Sequence, residues 1–341
     1  MKAVVYYDEE TIKCEEYPKP DIQDGEILVK MKVCGICGGD LMHWYRKKAA
    51  PQVLGHEITG EVVELGNGVE DLKLGDRVFV HHHIACLTCN YCVHGDYIHC
   101  SQFSKNRIYP GGLAEYIKVS SPIVRGDVLR LPDNISYEYG TLIEPLACCI
   151  KGMAKTKLRP GDSLGIIGAG PIGIINIELA KKVFGVGKVV ASDMLENRRG
   201  YAEEYGAQVT VNPSESSFVE VTRKVTDGIG LDAVIVTVSS SQAILEGIES
   251  VRNGGVVIIF APPPPDVVMT LNPNALFFSE KWLVSSYTSS HIETREALKL
   301  LSSDTVDLRN LITCTFEMEK AAKAFRMAEA REGMKILISS G

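Results

Sequence analysis

The stretch "SLGIIGAGPIGIINIELAKKVF", residues 163–184, constrains the fold of this 341-residue chain more than any other. An apolar run of strand length reaches Gly168, and beyond Pro171 apolar residues recur with helical spacing at Ile172, Ile175, Leu179 and Val183. At the joint stands Gly168-x-Gly170-x-x-Gly173. Such a motif between a strand and a helix is a dinucleotide fingerprint when an acidic residue ends the next strand, and Asp193 ends "KVVASD". The first glycine allows a tight turn, the second lets backbone N–H groups approach a pyrophosphate, and the helix N-terminus supplies partial positive charge. Gly168, Gly170, Pro171, Ile172 and Gly173 are therefore candidate cofactor-binding residues. The alternative is a glycine-rich turn in an α/β domain that binds no nucleotide. Asp193 is expected to accept hydrogen bonds from the adenosine ribose, and its carboxylate repels a 2′-phosphate, so NAD is favoured over NADP. Arg198 and Arg199 lie just beyond and keep NADP open; Arg199 reads as part of a solvated helix face.

From residue 148 onward strands and helices alternate. "DAVIVTV", "GGVVIIFA" and "WLVSSYT" are continuous apolar runs, and such runs between helices mark a parallel sheet covered on both faces. The first 147 residues read differently, as short strands and turns with few helical periods: "EILVKMKV", "GEVVEL", "DRVFVHHH". The tail from about 289 holds two helical patterns and a closing strand, "MKILISS". The expectation is α/β: a mostly-β domain over 1–147 and 289–341, and a doubly wound dinucleotide-binding domain over 148–288.

A balance of 43 acidic to 36 basic residues, −7 overall, argues against a nucleic-acid surface. No apolar leader opens the chain, and its most apolar stretch is too short and too interrupted to span a membrane. Ten cysteines in such a sequence point to a reducing, cytoplasmic setting, with thiols free or metal-bound.

Cys86, Cys89, Cys92 and Cys100 are spaced C-x2-C-x2-C-x7-C. Four thiolates at this spacing can close a tetrahedron around zinc, a structural site that staples a loop with little core of its own; an iron–sulfur cluster is the competing reading. His94 and His99 read as spectators. His81, His82 and His83 continue a strand, where alternate side chains diverge, and read as a polar strand end rather than ligands. A catalytic zinc needs three protein ligands and an open position. Cys37, His56, Glu57 and Glu144 are candidates. "VCGIC" leaves open whether Cys34 and Cys37 are a redox pair, half a metal site, or one ligand beside an idle neighbour.

Taken together, "GICGGD", "GHEITGEVVELG", "GDRVFV", the four-cysteine lobe, "GGLAEY", "IEPLA" and "GAGPIG" make the chain resemble the zinc-dependent medium-chain dehydrogenases over essentially its whole length. The Glu-Pro-Leu element is similar to the sorbitol and threonine dehydrogenase branch. The resemblance implies a GroES-like catalytic domain around a Rossmann domain, two zinc ions per chain, NAD as cofactor, and a homo-oligomer, a tetramer before a dimer. It implies Cys37, His56 and Glu144 as catalytic zinc ligands, Glu57 as an alternative ligand, and Asp40 as the carboxylate that orients the histidine. Cys34 then falls outside the ligand set, and Cys14, Cys148, Cys149 and Cys314 read as small buried hydrophobes. Two departures stand out. Gly39 replaces the usual Ser or Thr, and Asp40-Leu-Met-His43 replaces Asp-x-His, so His43 becomes a candidate for the proton relay.

The implied activity is hydride transfer between a secondary alcohol of a polyol or sugar-like substrate and NAD, with zinc as Lewis acid, at a cleft beyond the C-terminal ends of the Rossmann strands. Alternatives are amino-alcohol oxidation of the L-threonine 3-dehydrogenase type and a simple secondary-alcohol dehydrogenase. A zinc-independent enone reductase and a non-catalytic zinc module are more distant rivals.

Overall fold

The computed structural model describes residues 1–341 and divides into two compact units, 1–147 with 289–304 and 308–341, and 148–288 with 305–307.

The first unit is built on a seven-stranded sheet. Its order runs Ile312–Glu317, Lys335–Ser339, Ile27–Gly35, Glu57–Leu65, Arg77–Val80, Val128–Arg130, with Tyr116–Val119 also pairing with Ile27–Gly35. The central pair is antiparallel, and its register sets Gly35 opposite Glu57 and Cys34 opposite Ile58. The Ile27–Gly35 strand is almost continuously buried, consistent with packing on both faces. A three-stranded sheet, Ile12–Glu16, Lys2–Tyr6 and Gln52–Val53, completes the β framework. One large core gathers residues from both sheets and from the helix Ala321–Glu329, including Tyr6, Met31, Cys34, Leu54, Ile58, Leu113 and Phe325. A second, much smaller core holds Ala85, Cys92, Cys100 and Phe103.

The second unit is a six-stranded parallel sheet in the order Val209–Val211, Lys188–Ser192, Ser163–Ile167, Leu231–Val236, Val251–Ile259, Trp282–Ser285. The order reverses between Ser163–Ile167 and Leu231–Val236, the switch point at which α/β sheets take up ligands. Five helices connect these strands, from Pro171–Lys182 to Pro273–Ser279.

The helix Ile143–Ala154 runs across residues 147 and 148, where the two units divide. One local reading is corrected. The strand Arg77–Val80 stops before the histidines, because the chain bends at His82. No helix is long and apolar enough to cross a membrane.

Candidate active site

Cys37, His56 and Glu57 offer donor atoms that all lie within 4.8 Å of one another. The strand Ile27–Gly35 delivers Cys37 to the N-cap of a 3-10 turn, Gly38–Leu41. There the Cys37 Sγ accepts the Gly39 amide at 3.4 Å, while the Cys37 amide donates to Asp40 Oδ2 at 3.2 Å. This reciprocal cap fixes the thiol before any ion is added. His56 sits between Gly55, whose φ of +91° no β-carbon tolerates easily, and the strand Glu57–Leu65.

Asp40 is the hub behind the donors. It is 1 % exposed; its Oδ1 lies 3.5 Å from His56 Nδ1 and accepts from Arg46 Nη2 at 2.7 Å. Burial alone would raise this carboxyl, but the His56 and Arg46 charges outweigh it and hold it at about 2. The effect on His56 is reciprocal. Burial lowers its proton affinity, yet the Asp40 charge and the Cys37 sulfur raise it well above the ordinary histidine value. The negative groups around the imidazole favour positive charge at this point. Arg46, which also donates from Nε to the Gly39 carbonyl at 3.0 Å, had no signal in the sequence.

Glu57 is fully buried and held by Lys335, whose Nζ lies 2.7 Å from both carboxylate oxygens and 3.3 Å from the Ile36 carbonyl. Lys335 is itself 3 % exposed, and although burial works against its charge, the Glu57 carboxylate keeps it protonated. Gly35 makes room for the pair: a β-carbon there would stand 2.0 Å from Glu57 Oε2. The one trace of Lys335 in the sequence is a lysine opening an otherwise apolar strand. Glu144, buried in the first turn of Ile143–Ala154, is outside the three-donor group, but its charge acts on both Glu57 and Lys335.

Cys34 is fully buried, packed where Gly55 and Leu113 meet, and burial pushes its thiol well up. It is absent from the donor group, as are Cys14, Cys148, Cys149 and Cys314; of these four only Cys149 is fully buried, the others being half-buried. His43 turns its nitrogens elsewhere, Nε2 to Glu329 at 3.2 Å and Nδ1 to the Tyr6 hydroxyl at 3.4 Å.

The cysteine lobe is a different arrangement. Cys86, Cys89, Cys92 and Cys100 converge within 4.8 Å, with Sγ separations of 3.5 Å for Cys89–Cys92 and 4.0 Å for Cys86–Cys92. A tetrahedron with Zn–S bonds of about 2.3 Å requires sulfurs about 3.8 Å apart, so one ion fits and a multi-iron cluster does not. Backbone amides of Cys86 and Gln102 point at Cys100 Sγ. Hydrogen bonds from Thr88 lower the Cys86 thiol to about 6, while burial and its sulfur neighbours push Cys92 up to about 12. His94 Nδ1 engages the Asn90 carbonyl and His99 faces Tyr91.

In the second unit Gly168 has φ +102°, and a β-carbon there would meet Thr237 Oγ1 at 2.5 Å. A β-carbon on Gly173 would stand 2.1 Å from the Gly168 carbonyl oxygen, so the helix Pro171–Lys182 starts close against the turn only because both are glycine. Pro171 and Ile172 form its first turn. Asp193 accepts from the Ala169 amide at 2.9 Å and the Leu195 amide at 3.0 Å, which leaves lone pairs on both oxygens. The Arg198 guanidinium stands beside Gly170, 3.4 Å from where a β-carbon would be. Arg199 is half-buried, and its Nη1 donates to the carbonyls of Asp193 and Met194 at 2.8 and 2.9 Å.

The families described as the alcohol dehydrogenase GroES-like domain and the zinc-binding dehydrogenase match residues 23–133 and 171–303. Sorbitol dehydrogenase of Bacillus subtilis is 31% identical over 340 residues, covering 96% of this chain and 93% of that protein. Among solved structures, alcohol dehydrogenase TADH from Thermus sp. ATN1 superposes with a TM-score of 0.88 at 30% identity over 99% of both chains. The 2R,3R-butanediol dehydrogenase from Bacillus subtilis does so with 0.86 at 28% identity over 100% of this chain and 99% of the other. The chain belongs to the zinc-dependent medium-chain dehydrogenases, as an alcohol/polyol-type oxidoreductase with a GroES-like domain and a Rossmann domain.

Proposed function

We propose that this protein oxidises a secondary alcohol of a polyol or sugar-like substrate with NAD, reversibly, using one zinc ion at Cys37 and His56 and a second in the cysteine lobe. When bound, the first ion supplies Lewis acidity to the alcohol oxygen and the nicotinamide accepts the hydride. Everything else falls to the chain. Cys37 and His56 present a thiolate and an imidazole, Asp40 orients the imidazole, and Arg46 keeps Asp40 charged. The third donor is a carboxylate. Lys335 engages both oxygens of Glu57, so Glu57 shares its charge between that pair and an ion; the resemblance points to Glu144 as the resting ligand, with Glu57 as the alternative. Asp193 reads the ribose, which supports NAD, and Arg198 beside Gly170 is placed to meet the pyrophosphate.

The observation that carries the polyol reading is Gly39. No positive φ requires glycine there, and a β-carbon would make only ordinary contacts, 3.7 Å from Cys37 Sγ and 3.7 Å from Arg46 Nη2. The backbone accepts a serine; the chain has left the space beside the donor thiol open and has no hydroxyl in it. With His43 turned to Glu329 and Tyr6, a second substrate hydroxyl is the group best placed to fill that space and carry a proton. The test compares kcat/KM for polyols, sugar alcohols and cyclic polyols with that for ethanol and 2-butanol, in the native chain and in Gly39→Ser. Polyols should win natively, and Gly39→Ser should shift preference toward small alcohols. Ethanol outperforming every polyol in the native chain contradicts the reading.

Assembly has support in the second unit. Trp282–Ser285 is the sheet's edge strand, Trp282 is 52 % exposed, and Phe277 and Phe278 of the preceding helix are each 75 % exposed. An apolar edge of this kind calls for a cover, and a second copy is the proposed one. Sedimentation should show a homo-oligomer that Trp282→Lys weakens.

A further inference from the structure

His81, His82 and His83 are not used by the chemistry above. In an extended strand their rings would alternate between faces. Because the chain bends at His82, they converge instead: ring centroids are 5.2 Å apart for His81–His82, 4.7 Å for His81–His83 and 3.8 Å for His82–His83. One nitrogen of each ring lies within 4.8 Å of one nitrogen of each of the others.

Two of these nitrogens are anomalous. His81 Nε2 and His82 Nδ1 are sealed from water and have no hydrogen-bond partner. A buried polar atom left unpaired costs about 1–3 kcal/mol, and two in adjacent residues need a reason. The other side of His81 supplies one. Its Nδ1 lies 2.6 Å from Asp127 Oδ2, which places the ring proton on Nδ1 and leaves the lone pair on Nε2. A carboxylate behind an imidazole is the arrangement that orients a metal-ligating histidine and raises its basicity. Asp127 is itself fully buried and fixed, accepting from Thr294 Oγ1 at 2.7 Å and from Arg295 Nη1 at 3.4 Å.

We propose that His81, His82 and His83 form a binding site for a divalent ion of the zinc type, distinct from the Cys37–His56 site and from the cysteine lobe. The donor set selects the ion. Three imidazoles with no carboxylate among them offer nothing to calcium or magnesium, which require oxygen, and suit borderline ions such as zinc. The Arg107 charge acts on His82, so the affinity must come from the nitrogen donors and from Asp127 behind His81 rather than from a negative field. Zn–N bonds of about 2.0–2.1 Å place nitrogens about 3.4 Å apart in a tetrahedral shell, so small ring rotations close the present spacing. The site also abuts the catalytic donors, since the His82 and His56 rings are 4.9 Å apart. An ion here adds positive charge beside His56.

The experiment is equilibrium dialysis of the full chain, with its cysteine sites loaded with zinc, against saturating cobalt(II), read by metal count and absorption. One further equivalent is expected, with cobalt d–d bands and no thiolate charge transfer. His82→Phe keeps a flat ring between its neighbours and removes a nitrogen that has no protein partner; it should lose that equivalent, as should His83→Gln. Cys37→Ser should retain it, which separates this site from the proposed active site. Absence of a further equivalent in the folded native chain overturns the proposal, as does one that survives both histidine variants or is lost in Cys37→Ser. Should either histidine variant fail to fold, X-ray absorption on the native cobalt-loaded chain decides, an all-nitrogen/oxygen shell supporting the site and a sulfur shell overturning it.

Discussion

The cysteine lobe and the Cys37–His56 site would hold the same element for opposite reasons. The lobe has four sulfurs and a core of only four residues, Ala85, Cys92, Cys100 and Phe103, two of which are proposed ligands. Without an ion, little remains to order it. The Cys37–His56 donors are set by a capped turn, by Asp40 with Arg46, by the Glu57–Lys335 pair, and by the large core around Cys34, Leu54 and Ile58. In the lobe the ion holds the protein; at the other site the protein holds the ion. A closed four-thiolate shell follows from the first situation, and an open position for substrate is possible only in the second.

The largest expected effect that sharpens this contrast is on catalysis. Cys37→Ser should lower kcat/KM by at least about 10³-fold, the several kcal/mol that a Lewis acid supplies. Its melting temperature and NADH binding should barely move, because the capped turn and the second unit remain. Calorimetry and steady-state kinetics check this; a fall in Tm as large as that of a lobe variant would break the comparison.

Next comes Cys92→Ser. Removing one buried lobe thiolate should release the lobe's ion and open residues 86–100 to proteolysis, at a cost of several kcal/mol, since structural zinc binding is folding free energy. Limited proteolysis with mass spectrometry should locate the cut inside the lobe. Cuts elsewhere first would show that the lobe has an order of its own.

A third, smaller effect tests the buried pair. Lys335→Met strands the Glu57 carboxylate, and breaking a buried ion pair costs about 3–5 kcal/mol. In the zinc-loaded chain the freed Glu57 can turn to the ion, so the cost should be lower there than in the zinc-free chain. Equal costs in urea denaturation with and without zinc would mean that Glu57 never approaches the ion. The smallest effect belongs to Cys34→Ala: about 1–2 kcal/mol for a small truncation in the core, with the metal content unchanged.

These contrasts were unequally legible in the sequence. The strand–glycine–helix joint, the four-cysteine spacing and the alternating texture after residue 148 are local patterns, and local patterns survive in one dimension. Arg46, Lys335 and Gly35 are not local. Lys335 meets Glu57 across 278 residues, and nothing short of the pairing of Lys335–Ser339 with Ile27–Gly35 places it there. The histidines are hidden for another reason: the strand ends at Val80, and a single bend at His82, which periodicity does not show, turns divergent side chains into convergent ones. The contacts of Arg199 are hidden because a helix start leaves carbonyls of the preceding loop within reach of a long side chain, which composition cannot show.

The central claim is that the two cysteine-containing sites differ in who holds whom. Brief exposure of the native protein to a chelator, with zinc, activity and circular dichroism followed together, tests it most directly. The account predicts that one cysteine-bound ion leaves first, that activity leaves with it, and that the spectrum is unchanged until the second ion goes. Simultaneous loss of both ions, or activity that outlives the first, would contradict it.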